Sequence, residues 1–122
     1  NYGHQAGDFV LRELSRICKE TLRAYDLFAR YGGEEFCAIL PNCDSATAQV
    51  VAERLRASFE ATQMQFGGNA WHSTLSIGVT DSQLSGIALD KMIADADSAV
   101  YRAKQQGRNR VARHGDTSPA TK

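Results

Sequence analysis

The sequence predicts an α+β fold in which helices pack on a mostly antiparallel sheet. Three observations predict it. Apolar residues return at three- and four-residue spacing in three long segments, and a Gly-Gly pair joins two strand-like runs. In addition, Leu75, Ile77 and Val79 alternate with Thr74, Ser76 and Gly78. The implied order is helix, hairpin, helix, strand, helix, short strand.

The first helix spans about residues 7–22, with Val10, Leu11, Leu14, Ile17, Cys18 and Leu22 on one face and Arg12, Glu13, Arg16, Lys19 and Glu20 elsewhere. Gly3, Gly7 and Asp8 are expected at its start, where free N–H groups favour an acid or a bound anion. Asp8 is therefore a cap or a ligand contact. Arg23-Ala24-Tyr25-Asp26 follows the helix and puts an arginine fork beside a carboxylate, either as a surface salt bridge or as a grip on a guanine edge and a phosphate.

Residues 27–31 and 36–40 read as the two strands of a hairpin, with Gly32 and Gly33 permitting positive φ in the connection. Glu34 and Glu35 bring two negative charges to its tip, and a bound cation would relieve their repulsion. Strand alternation sends them to opposite faces, so one alone need be a ligand. Taken in isolation, the motif reads first as a bare hairpin with exposed glutamates.

Pro41-Asn42-Cys43-Asp44 supplies a turn and a helix cap, and Ala48, Val51, Ala52, Leu55 and Phe59 mark a second helix to about residue 61, with Glu53, Arg54 and Arg56 mainly on its solvated side. Gly67-Gly68-Asn69 is a turn, residues 72–80 a strand and residues 81–86 a polar loop. Gly78 within the strand implies close approach of a backbone or a ligand. Leu89, Met92, Ile93, Ala96, Ala99, Val100 and Ala103 give the clearest helix, ended by Gly107. Lys104 and Arg108 flank that end, complementing the helix dipole or binding phosphates. Residues 110–113 read as a short strand and 114–122 as a disordered tail.

Lys plus Arg and Asp plus Glu are 14 each, so net charge draws the chain to neither nucleic acid nor an anionic membrane. No apolar run reaches the roughly 18 residues of a membrane span. Cys18, Cys37 and Cys43 are odd in number and lack metal spacing, which reads as free thiols in a reducing cytosol. The abrupt start without Met reads as a piece of a longer polypeptide.

Four separated blocks resemble one family, the GGDEF-type diguanylate cyclases, over about residues 1–113. Gly32-Gly33-Glu34-Glu35-Phe36 matches its signature in the Glu-containing form, and Tyr2-Gly3-His4-Gln5-Ala6-Gly7-Asp8 is similar to its Gly-His-x-x-Gly-Asp. Thr74-Leu75-Ser76-Ile77-Gly78-Val79 matches a later block. So does Ala94-Asp95-Ala96-Asp97 through Tyr101-Arg102-Ala103-Lys104-Gln105-Gln106-Gly107-Arg108-Asn109.

The resemblance implies a fold like that of the nucleotidyl cyclases and the polymerase palm, and condensation of two GTP molecules into cyclic di-GMP by a homodimer. It implies Mg²⁺, with Mn²⁺ as a substitute, held by Glu34. Glu34 is also a candidate base, and Glu35 is essential to the signature as base, ligand or hairpin anchor. Gly32 and Gly33 admit the nucleotide, Asp8 contacts guanine, and Lys104 and Arg108 contact phosphate. Arg23 and Asp26 fall at the position of the family's product-inhibition motif, which Arg54 can join. The alternative is an inactive cyclic di-GMP receptor that binds through the same Arg-x-x-Asp.

The family also carries a metal-binding Asp on a first strand and then Phe-Lys-x-x-Asn-Asp-x-x-Gly-His, of which this chain holds only the end. The domain is thus expected to be truncated at its N-terminus, with little activity as these residues alone. A cytoplasmic location is expected, on a parent that can itself be membrane-anchored, with no membrane contact by this domain.

Overall fold

The computed structural model describes residues 2–32 and 35–115. Helix α1, Tyr2–Thr21, begins five residues before the expected start at about residue 7. Asp8 therefore lies inside the helix rather than at its start. Gln5, Gly7 and Asp8 are exposed, so these positions give no apolar period to read in the sequence.

Strands β1 (Leu27–Gly32) and β2 (Glu35–Ile39) form the expected antiparallel hairpin. Their register runs from Leu27↔Ile39 to Arg30↔Phe36, then slips by a bulge to Gly32↔Glu35. Helix α2, Ser45–Ala61, starts at the expected cap, where the Asp44 carboxylate accepts the Thr47 N–H at 2.9 Å.

The turn at Gly67 and Gly68 joins two strands that had not been expected, β3 (Met64–Phe66) and β4 (Asn69–Trp71). Both glycines have positive φ, 60° and 85°, as a two-residue hairpin connection requires. Three residues per strand are too few for alternation to show.

Strand β5 is shorter than expected, Ser76–Val79. The following polar loop holds a single-turn helix α3, Ser82–Ser85, capped by Asp81. Helix α4 runs Leu89–Gln105 and strand β6 Arg110–Arg113. β6 lies parallel to β5, from Ser76↔Arg110 to Val79↔Arg113, with α4 as the crossover that parallel pairing needs. Among the described residues the strands make three two-stranded sheets, of which two are antiparallel.

The main core joins Leu14, Ile17 and Cys18 of α1 to Leu55 and Phe59 of α2 and Met64 of β3. Complete burial of such a Leu, Ile, Phe or Met side chain is worth about 1.5–3 kcal/mol. Cys18 is 2% exposed, and burial pushes its thiol pKa up to about 11. A second cluster sets Ala48 and Ala52 against Val79, and a third joins Ala99 and Ala103 of α4 to Ala112 of β6. Small residues let α4 lie directly on β5. A Cβ at Gly78 would stand 2.0 Å from the Ala96 carbonyl oxygen and 2.7 Å from the Val100 nitrogen, so the close approach expected at Gly78 is that of the α4 backbone.

Candidate functional site

The β1–β2 hairpin brings Gly32 opposite Glu35 at the end where the two strands connect. Phe28 and Phe36 stack on one face with ring centroids 5.4 Å apart, and both pack against the main core. Alternation then sends the exposed Glu35 to the other face of the ribbon. Gly33 and Glu34 lie outside the described residues. Between α1 and the hairpin runs a groove of about 600 Å³, walled by Leu11, Arg12, Ser15, Phe28, Ala29 and Phe36. Its α1 wall begins one turn beyond Asp8, whose side chain is exposed.

Arg23 and Asp26 are brought together directly. Arg23 Nη2 donates to Asp26 Oδ1 at 2.9 Å, and Arg23 Nε reaches both carboxylate oxygens at 3.2 and 3.3 Å. The backbone closes the same loop: the Arg23 N–H donates to Asp26 Oδ2 at 2.8 Å, and the Asp26 N–H to the Arg23 carbonyl at 3.0 Å. A further bond runs from Arg23 Nη2 to the Pro41 carbonyl at 2.9 Å, and the guanidinium lies 4.5 Å from the Tyr25 ring centre. Asp26 is covered completely while Arg23 keeps 41% of its side chain exposed. The hydrogen bonds from Arg23 hold the Asp26 carboxyl below its ordinary pKa. Arg54 is exposed on α2, and its side chain makes no hydrogen bond or ion pair among the described residues.

Lys104 and Arg108 are both exposed and flank the C-terminus of α4. The chain leaves the helix in a Schellman turn, the Arg108 N–H bonding the Ala103 carbonyl at 2.9 Å and the Gly107 N–H that of Lys104 at 3.3 Å. Three successive residues then have positive φ: Gly107 at 123°, Arg108 at 66° and Asn109 at 49°. For a residue with a Cβ such a conformation costs on the order of 1–3 kcal/mol.

Side chains from α2 reach this turn. Asn109 Oδ1 accepts from Arg56 Nη1 at 2.8 Å, and Asn109 Nδ2 donates to Glu60 Oε2 at 2.9 Å. Arg56 is bound in turn by Glu53 at 2.5 Å and by Glu60 at 2.9 Å. Hydrogen bonds to Glu53, then to Glu60, raise the Arg56 pKa. Those from Arg56 lower the pKa of both glutamates, with Asn109 adding to the effect on Glu60. This corrects the reading of Arg56 as a solvated residue, since only 16% of its side chain is exposed. The signal was present as Glu53-x-x-Arg56-x-x-x-Glu60, but helical spacing gives no hint of a partner at Asn109.

Two other carboxylate-centred contacts also escaped the sequence. Asp81 accepts the Leu84 N–H at 2.9 Å and the buried Ser45 N–H at 2.7 Å, tying α3 to the start of α2. Asp95 binds Lys91 Nζ at 2.6 Å and His114 Nε2 at 3.3 Å. Among the described residues no hydrogen bond or ion pair links Asp8, Glu35 and the Lys104–Arg108 end to one another.

The family profile described as Diguanylate cyclase, GGDEF domain, matches residues 1–110. The chain belongs to the GGDEF family.

Diguanylate cyclase A of Treponema denticola is 44% identical to this GGDEF chain over 110 residues, which are 90% of the chain and 30% of the relative. The solved diguanylate cyclase SiaD of Pseudomonas aeruginosa, in complex with its activator SiaC, has a TM-score of 0.84 at 38% identity. That match covers 92% of this chain and 43% of SiaD. The GGDEF domain of DgcB from Caulobacter crescentus, in complex with c-di-GMP, has a TM-score of 0.82 at 28% identity, covering 94% of this chain and 68% of that one. The chain spans between 16% and 39% of the length of such curated relatives.

Among the described residues no group of three His, Cys, Asp or Glu side chains is placed to hold a metal ion. The signature's own donors are the carboxylates of Glu34 and Glu35. Carboxylate oxygens are the hard donors that a magnesium ion takes one or two at a time, completing its shell with water and phosphate oxygens. No helix among the described residues is long and apolar enough to cross a membrane.

Proposed function

We propose that the complete protein is a diguanylate cyclase that joins two GTP molecules into cyclic di-GMP. The observation that carries this reading is the intact Gly32-Gly33-Glu34-Glu35-Phe36 signature where β1 runs into β2, in a chain of the GGDEF family. Each of two subunits holds one GTP, and the two sites face each other. The 3′-hydroxyl oxygen of one GTP attacks the α-phosphorus of the other, the bond to the bridging β-phosphate oxygen breaks, and pyrophosphate leaves. The same step in the opposite direction closes the ring and releases a second pyrophosphate.

Gly32 and Gly33 leave room for the nucleotide against the backbone. Glu34 is the metal ligand and can take the hydroxyl proton, with Glu35 beside it as second base, ligand or anchor. A Mg²⁺ ion at Glu34 would supply charge neutralisation at the phosphates and a lower hydroxyl pKa. The two oxygens of Asp8 suit the N1–H and 2-amino donors of guanine. Lys104 and Arg108, whose side chains make no hydrogen bond or ion pair among the described residues, are the phosphate contacts. Because the family's upstream metal Asp and guanine Asn are not among these residues, the 122-residue chain alone is expected to have little cyclase activity.

Product inhibition through Arg23, Asp26 and Arg54 belongs to this reading and is supported by the formed Arg23–Asp26 fork. The same fork favours the second reading, a cyclic di-GMP receptor without turnover. Incubating the complete protein with GTP and Mg²⁺, and assaying for cyclic di-GMP beside a Glu34→Ala control, separates the two. Product from wild type and none from the control is expected. A wild type that binds cyclic di-GMP but makes none would establish the receptor.

A further inference from the structure

We propose that Arg56 is a positioning residue for the phosphate end of the site, acting through Asn109 to fix the direction in which Arg108 leaves the chain. The inference rests on the reading of Arg108 as a phosphate contact.

Arg108 and Asn109 are consecutive residues with a Cβ and positive φ, 66° and 49°. A conformation of this kind persists where its surroundings over-determine it. Three constraints act on this turn. The Gly107–Arg108 Schellman bonds fix its start, and the Arg108 carbonyl accepts from Arg110 Nε at 3.1 Å. The third constraint arrives from an element 53 residues earlier in the chain, as Arg56 Nη1 bonds Asn109 Oδ1 at 2.8 Å. Glu60 completes that grip at Asn109 Nδ2, 2.9 Å away. The cation takes the amide oxygen and the carboxylate takes the amide NH₂, which permits one orientation of the Asn109 side chain.

Arg56 can serve as a fixed point because Glu53 and Glu60 hold it on both sides and 84% of its side chain is covered, 16% remaining exposed. Arg108 itself is exposed and spends none of its side-chain donors on the described residues. The arrangement is therefore a constrained backbone under an uncommitted guanidinium. A solvated ion cluster on α2 would need no bond to Asn109. A planar fork matters here, since Lys at position 56 would keep the charge but could not face Glu53, Glu60 and Asn109 together.

The test is equilibrium binding of GTP, with Mg²⁺, to the complete protein and to Arg56→Lys, Asn109→Asp, Arg108→Ala and the double variant Arg56→Lys with Arg108→Ala. Melting midpoints are measured alongside. Arg108→Ala is expected to weaken GTP binding roughly tenfold, the loss of one charge-assisted contact. Arg56→Lys should weaken it severalfold, and the double variant should be no weaker than Arg108→Ala alone, because the Arg56 effect passes through Arg108. Asn109→Asp keeps the Arg56 bond and sets a like charge against Glu60 at an exposed position, so it should also weaken GTP binding even if Arg56→Lys fails to fold. Unchanged GTP affinity in Arg108→Ala would overturn the phosphate reading itself. A loss in Arg108→Ala with wild-type affinity in Arg56→Lys or Asn109→Asp, or additive losses in the double variant, would overturn the positioning role alone.

Discussion

Arg23 and Asp26 form a closed fork, Nη2 to Oδ1 at 2.9 Å with the Arg23 N–H on Oδ2 at 2.8 Å, at the place where cyclic di-GMP is proposed to bind. The carboxylate is fully covered and the guanidinium is half open. An incoming phosphate therefore meets an oriented arginine. In the complete protein, Arg23→Ala should raise the cyclic di-GMP concentration for half-inhibition by about tenfold or more, the scale of one charge-assisted contact. An inhibition curve superimposable on wild type would remove Arg23 and Asp26 from the product site.

Gly78 is where α4 touches β5. An added Cβ would overlap the Ala96 carbonyl oxygen at 2.0 Å, and a backbone atom cannot move aside as a side-chain tip can. Gly78→Ala should destabilise by at least about 1–3 kcal/mol, the ordinary range of overpacking. Urea unfolding measures this, and a wild-type midpoint would contradict the close packing.

Asp81 serves two helices at once. Asp81→Ala strips the cap from α3 and leaves the buried Ser45 N–H without its acceptor. A loss of about 1–3 kcal/mol is expected. Asp81→Asn retains an accepting oxygen and should recover part of it. Equal losses in the two variants would show that the charge, rather than the hydrogen bonds, is what stabilises the junction.

Acid should destabilise the fold through several carboxylates together. Burial raises the Asp81 pKa, but the N–H groups of Leu84 and Ser45 outweigh it and the net shift is downward. Asp26, Asp44 and Asp95 are also held low, by Arg23, by Thr47 and by Lys91 with Ser85 respectively. Groups whose folded pKa lies below the unfolded value near 3.8 stabilise the fold above that value and stop doing so as pH falls through the folded one. With these groups alone, the melting temperature should be level from pH 7 to about 5 and fall increasingly below about 4. Thermal melts across this range test it. A midpoint unmoved down to pH 3 would mean that these pairs contribute nothing to stability.

The long elements were legible because each buries a stripe. Leu14, Ile17 and Cys18, then Leu55 and Phe59, are both the periodic residues and the core. The hairpin announced itself through two glycines, and Gly78 through its place in a strand. Asp8 was misplaced relative to its helix because Gln5 and Gly7 just before it are exposed and give no apolar period to follow. Strands β3 and β4 were missed because three residues do not make a period. Two long-range contacts were hidden for another reason: Arg56 with Asn109 and Asp81 with Ser45 join groups distant in sequence. Local spacing carries information about neighbours on one element, and only folding pairs these residues.

The buried thiol of Cys18 gives the seam between α1 and α2 a chemical clock. At neutral pH a group with a pKa of about 11 stays protonated, and at 2% exposure no alkylating reagent reaches it. Its modification must wait for the two helices to part. Labelling of the Cys18 peptide, followed by mass spectrometry beside the more accessible Cys37 and Cys43, would therefore time the opening of this seam, and any ligand that holds the helices together would slow it.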